Sequence, residues 1–151
     1  MSFYDNCGNN KKLSVIAGPC AFETKDHAVE TAEEIREICS SLDINFIYKT
    51  SFDKANRSSA NSFRSAGFDE AFYGMEAVRA RGIEVITDVH EPWHCEQVQA
   101  DIIQIPAFLC RQTDLIQAAA QSGKPVNVKK GQFLSPWEMK NVYEKLFNFG
   151  C

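Results

Sequence analysis

The chain has 151 residues, carries 16 Lys+Arg against 20 Asp+Glu, and is 44% hydrophobic. Those proportions exclude intrinsic disorder and collagen-like sequence, and the length suits one domain with its own core. A net charge of −4 argues against a general nucleic-acid binder, and no apolar run approaches the ~18 residues that cross a bilayer.

Residues 1–12 form a polar N-terminal segment without the apolar stretch of a signal peptide, which predicts a cytoplasmic protein. The remainder, 13–151, reads as one domain. Five short runs rich in Ile, Val or Phe occupy 13–17, 44–48, 83–86, 102–105 and 126–128. Each is too short for a helix and suits a strand buried on both faces of a parallel sheet.

Helical patterns separate these runs. Residues 27–41 are amphipathic, with Val29, Ala32, Ile35, Ile38 and Leu42 at three- and four-residue steps and Thr24 as N-cap. Residues 69–81 read as a second helix with Gly82 just past its end. A short helical turn is expected over 92–98. Residues 113–121 read as another helix, capped by Thr113 and stopped near Gly123 and Pro125, and Ser135 followed by Pro136 opens a last one over 136–147. Strand and helix alternate throughout, which means an α/β fold with right-handed crossovers. The spacing is roughly 28 residues per βα unit and a closed eight-unit barrel needs about 250 residues, so five units fit either an open doubly wound sheet or the N-terminal part of a barrel.

Six cysteines occur, Cys7, Cys20, Cys39, Cys95, Cys110 and Cys151, with no C-x-x-C pair and no secretion signal. Most are expected to be reduced, small core side chains. Cys20 differs because it follows Gly18-Pro19 at a strand end. It reads equally as a thiolate ligand for a divalent metal or as a buried core thiol.

The polar residues after each strand carry the functional signal, because α/β enzymes build their sites at the C-terminal strand ends. After the second run come Lys49, Ser51, Asp53, Lys54, Asn56, Arg57 and Ser58. After the third come Asp88, His90 and Glu91, after the fourth Pro106, Ala107, Phe108 and Arg111, and after the fifth Lys129 and Lys130. Cations outnumber anions in that set, although the whole chain is acidic. A cationic strand-end face suits small polyanions, with Asn56 and Ser58 completing a phosphate cradle. Asp88 can accept from a sugar hydroxyl or a metal-bound water. His90 and His94 are metal-capable but are separated by Pro92, His27 reads as surface, and Phe108 is expected to pack into a neighbouring subunit.

Several strings resemble a known family: Ile16-Ala17-Gly18-Pro19-Cys20, Tyr48-Lys49-Thr50, the run S-F-D-K-A-N-R-S-S from Ser51 to Ser59, Thr87-Asp88-Val89-His90-Glu91-Pro92, Gln104-Ile105-Pro106-Ala107-Phe108-Leu109, Arg111-Gln112-Thr113-Asp114-Leu115 and Asn127-Val128-Lys129-Lys130. Together they resemble the N-terminal part of the 3-deoxy-8-phosphooctulonate (KDO-8-phosphate) synthases, from about Leu13 onward. The resemblance implies a (β/α)8 TIM barrel, of which about five βα units are present. It also implies an enzyme of lipopolysaccharide synthesis that condenses phosphoenolpyruvate with D-arabinose 5-phosphate and water, giving 3-deoxy-D-manno-octulosonate 8-phosphate and phosphate.

By that resemblance Lys49, Lys54 and Lys129 hold phosphoenolpyruvate with backbone contacts near Ala107. Asn56, Arg57 and Ser58 hold the sugar phosphate. Arg111 reaches the same phosphate from an adjacent subunit of a homotetramer. Asp88 contacts the sugar, Gln104 lines the cleft, and Lys54 and Asp88 are the catalytic pair. Cys20 stands where the metal-dependent class has a ligand, so a divalent metal is expected; that class draws its His, Glu and Asp ligands from later strands. The other readings are a truncated, non-catalytic remnant that acts as an anion-binding or oligomerisation module, and the sibling synthase that uses erythrose 4-phosphate.

Overall fold

A computed structural model describes Gly8 and residues 11–151. The polar segment expected over 1–12 and the thiol of Cys7 therefore lie almost entirely outside the described residues. Internal contacts divide the chain into two compact units, one ending at Thr87 and one running from Asp88 to Cys151.

The first unit begins with β1 (Ser14–Ala21), α1 (Lys25–Ser41), β2 (Asn45–Ser51) and α2 (Phe68–Arg79), followed by β3 (Val85–Asp88), whose last residue opens the second unit. β1 and β2 are parallel from Ser14↔Asn45 to Ala21↔Ser51, and β2 is parallel to β3 through Tyr48↔Val85 and Lys49↔Ile86. β1 is longer than the apolar run suggests. It continues through Gly18 and Pro19, with a register shift between Ala17 and Cys20. A bulge tolerates proline, which cannot donate to the ladder, and here it leaves Cys20 at φ 68. β1 is also not buried on both faces, since Ile16 and Cys20 are exposed.

Gly18 is required by close approach, because a Cβ there would lie 2.0 Å from the Lys49 carbonyl oxygen. The N-cap of α1 is Thr24, whose Oγ1 accepts from the His27 N–H at 3.2 Å. α1 buries Ala28, Val29, Ala32 and Cys39. Ile38 and Leu42, expected on the core face, are exposed, since the buried stripe turns toward the smaller side chains. The Phe52 ring meets Phe68 and Phe72 edge-on at 5.2 and 5.6 Å, which ties the start of the loop after β2 to α2.

The second unit holds α3 (His94–Gln97), β4 (Ile102–Ile105), a 3-10 turn (Ala107–Leu109), α4 (Thr113–Gln121), β5 (Val126–Val128), a second 3-10 turn (Pro136–Glu138) and α5 (Met139–Asn148). β4 is fully buried and runs parallel to β5 through Ile103↔Val126, Gln104↔Asn127 and Ile105↔Val128. β5 is only half-buried. The N-cap of α4 is Gln112 and not Thr113; the Thr113 hydroxyl instead accepts from Lys145 Nζ at 2.8 Å. Ser135 and Glu138 form a reciprocal capping box, with proline at the first helical position. Among the described residues Cys39, Cys95 and Cys110 are buried, and Cys20 and Cys151 are exposed. Among the described residues no helix is long and apolar enough to cross a membrane.

Candidate functional site

In the first unit the strand-end residues meet around one hydroxyl. Lys49 and Ser51 lie two residues apart and so point to the same face of β2. Lys49 Nζ donates to Ser51 Oγ at 2.5 Å and to the Cys20 carbonyl at 3.3 Å. Lys54 Nζ reaches back from the loop to the same Ser51 Oγ at 2.9 Å and to Cys20 Sγ at 3.0 Å. Two ammonium groups that share one hydroxyl repel each other, and an anion bound between them would relieve that repulsion. The Asp53 carboxylate accepts from Arg64 Nε at 2.8 Å and from the Arg64 terminal nitrogen. Those Asp53 bonds hold the Arg64 guanidinium above its ordinary pKa.

Arg64 also accepts the Lys54 backbone N–H at its carbonyl, at 3.0 Å. The loop that carries Lys54 is thereby closed onto itself. Neither Ser51 as the shared acceptor nor Arg64 as the clasp was assigned a role from sequence. Ser51 had a readable signal, its two-residue step from Lys49. Arg64 had none, because it lies ten residues past Lys54 in a run without periodicity. Asn56, Arg57 and Ser58 occupy the exposed part of this loop.

In the second unit the remaining candidates fall into two groups. Asp88 and Gln104 are buried, and the Gln104 side-chain amide donates to Asp88 Oδ1. Asn127 Nδ2 donates to Gln104 Oε1 at 2.8 Å, a bond made possible by their direct opposition across β4 and β5. The Val89 N–H bonds to the Gln104 carbonyl at 3.0 Å. Arg111 is separate and exposed. It lines a cavity of about 480 Å³ with His90, Glu91, Leu109, Gln112 and Thr113.

Glu138 is held below the usual carboxylate range, chiefly by the Ser135 N–H and hydroxyl, with Arg111 and Lys130 adding. Lys129 is exposed, and its N–H bonds to the Ile105 carbonyl at 3.0 Å. Ala107 opens the 3-10 turn and is half-buried. Lys130 differs from the cationic set proposed for the strand ends, since its ammonium donates to the carbonyls of Gly131 and Leu134, both at 2.9 Å. Phe108 is exposed.

Within the second unit His94 has a structural role. His94 is buried, and its Nδ1 accepts from the backbone N–H groups of His90 and Glu91 at 3.1 and 3.0 Å, so it serves as a turn brace. Among the described residues no group of three or more His, Cys, Asp or Glu is placed to hold a metal ion. The Cys20 thiol receives Lys54 Nζ instead. A catalytic metal needs about three protein ligands, so these residues alone do not fit one.

Comparison with known proteins places this geometry in context. The family model described as the DAHP synthetase I family matches residues 5–151. The chain belongs to the DAHP synthetase I family. Within this TIM-barrel-type family it supplies five parallel strands alternating with helices, as the α/β reading expects. Among similar curated proteins, the 2-dehydro-3-deoxyphosphooctonate aldolase of Caulobacter vibrioides is 52% identical over 146 residues, covering 95% of this chain and 51% of that protein. The protein of the same name from Rickettsia bellii is 54% identical over 147 residues, covering 95% of this chain and 54% of that protein. The one from Fusobacterium nucleatum is 53% identical over 142 residues, covering 92% and 51%. Members of this family named in that way are KDO-8-phosphate synthases. The chain spans about half the length of the curated relatives it matches.

Proposed function

We propose that this chain belongs to a cytoplasmic KDO-8-phosphate synthase, which joins phosphoenolpyruvate to D-arabinose 5-phosphate in lipopolysaccharide synthesis. The observation that carries the reading is the pair of lysine ammonium groups that meet on the Ser51 hydroxyl. Such a pair is suited to an anion with two negative groups close together, and phosphoenolpyruvate offers a phosphate and a carboxylate. The names of the relatives support the same chemistry.

In the reaction C3 of the enol forms a bond to the aldehyde carbon, water adds at C2, and the C2–O bond to phosphate breaks to release inorganic phosphate. Lys49 and Lys54 offset the charge of the incoming anion, and Lys54 stabilises the charge that shifts as the enol adds. Lys129 and the Ala107 backbone are assigned to phosphoenolpyruvate by family resemblance. Asn56, Arg57 and Ser58 are assigned to the sugar phosphate in the same way. Asp88, oriented by Gln104, accepts from the sugar. Arg111 serves a neighbouring subunit in a homotetramer. Cys20 is proposed as a ligand of a divalent ion by the same resemblance. Because the residues present do not make a metal site, no step is assigned to a metal.

The test is phosphate release from the purified chain given each substrate alone and both together. Release that requires both supports the reading. Binding of both ligands without release identifies an anion-binding remnant. Faster turnover with erythrose 4-phosphate than with arabinose 5-phosphate identifies the sibling synthase.

A further inference from the structure

Gln104 is 3% exposed and Asp88 7%, so each polar atom in this pair must find a partner inside the protein. An ionised carboxylate only accepts hydrogen bonds, whereas a side-chain amide donates from one end and accepts at the other. The NH2 of Gln104 therefore faces Asp88, and its carbonyl faces away and requires a donor. Asn127 Nδ2 supplies that donor at 2.8 Å. The parallel register sets Asn127 directly beside Gln104, and backbone bonds on either side, Ile103 N–H to the Pro125 carbonyl at 2.9 Å and Lys129 N–H to the Ile105 carbonyl at 3.0 Å, lock that register. If the Gln104 amide turned over, it would set oxygen against the Asp88 carboxylate and NH2 against the NH2 of Asn127. Both contacts would be repulsive.

We propose that Asn127 is a positioning residue, which fixes the direction of the Gln104 amide and through it orients the Asp88 carboxylate toward the sugar. Its own Nδ2 is engaged by Gln104 Oε1. Only the last step, what Asp88 contacts, rests on the proposed function. The amide relay stands on the geometry of the second unit.

Two variants test it, Asn127→Leu, which keeps bulk and removes the donor, and Asn127→Ser, which keeps a shorter donor. The first measurement is solvent exchange of the Gln104 side-chain amide protons by NMR in the ligand-free chain. Asn127→Leu should speed this exchange at least ~10-fold, as loss of one hydrogen bond to a buried group does. Asn127→Ser should speed it less. The backbone N–H groups of Ile103 and Lys129 should exchange at the parent rate in both. Unchanged Gln104 exchange in both variants overturns the relay. Equal loosening of those backbone groups also overturns it, because Asn127 would then be merely structural. The second measurement is calorimetric binding of arabinose 5-phosphate and phosphoenolpyruvate, where Asn127→Leu should weaken the former and leave the latter within about two-fold. Faster Gln104 exchange with unchanged sugar-phosphate binding upholds the relay and removes the sugar from Asp88, which is a failure of the functional assignment alone.

Discussion

At Gly18 the backbone of β1 passes so close to Lys49 that no side chain fits. Gly18→Ala would push the Lys49 carbonyl, and with it the strand that carries Lys49 and Ser51. Overpacking of this kind costs about 1–3 kcal/mol. The expected outcome is a lower urea midpoint together with loss of the phosphoenolpyruvate binding proposed for Lys49. A variant with parent stability and parent affinity would show that β2 yields freely there.

Tyr48 gives a prediction of a different kind. Its ring is fully buried, and burial pushes the phenol up to about 12 from its ordinary 10, with a smaller opposing effect from the Thr50 hydroxyl. The folded state therefore holds this proton more tightly than the unfolded chain does. The resulting stability is complete below pH 10 and is lost as the pH rises toward 12. Tyr48→Phe should flatten the fall in stability between those limits, read from denaturation curves at stepped alkaline pH. An identical fall in both proteins would place the titration elsewhere.

The helices and strands were legible in the sequence where a local rule acts alone. β4 and β5 match the apolar runs at 102–105 and 126–128, and Thr24 caps α1 as its position suggests. Elsewhere tertiary context overrode the pattern. β1 runs on through Pro19 because a bulge absorbs the missing donor, and α1 turns Ala28 and Cys39 inward while Ile38 stays exposed. Thr113 sits where a cap is expected, yet its hydroxyl is taken by Lys145 from α5, a contact separated by 32 residues. Of the site, charged side chains at strand ends were readable, but their hydrogen-bonded partners Ser51, Arg64 and Asn127 were not assigned, because partnership depends on loop closure and register.

The capping box before α5 allows an element-level check. Ser135→Ala removes the hydroxyl from one half of the box and should cost about 1 kcal/mol. It should also bring the Glu138 carboxyl part of the way back toward its ordinary range, because the Ser135 hydroxyl is the second cause of its depression after the Ser135 N–H, which the variant keeps. A carboxyl titration followed by NMR reads this directly, and an unmoved Glu138 would assign the depression to the Ser135 N–H with Arg111 and Lys130, and none of it to the hydroxyl.

For the molecule as a whole, net charge was a poor guide to ligand choice. A chain of −4 still places two ammonium groups on one hydroxyl, because most of its carboxylates lie on exposed helix surfaces. The thiols divide in the same uneven way. Cys39, Cys95 and Cys110 are buried, and burial pushes the Cys95 thiol up to about 11. Cys20 and Cys151 are exposed. Iodoacetamide at neutral pH should modify the exposed pair well before the buried three, as read by peptide mass spectrometry. Cys95 reacting as fast as Cys151 would contradict the packing of the second unit.

The paired lysines on Ser51 have a practical corollary for handling the protein. Sulfate and inorganic phosphate carry the charge and oxygen geometry that such a pair attracts, and an anion that binds the folded form alone raises its melting temperature in proportion to the logarithm of its concentration. Phosphate or sulfate in a purification buffer would thus flatter the measured thermal stability and compete with any phosphorylated metabolite under study, so a chloride-based medium is the proper reference state.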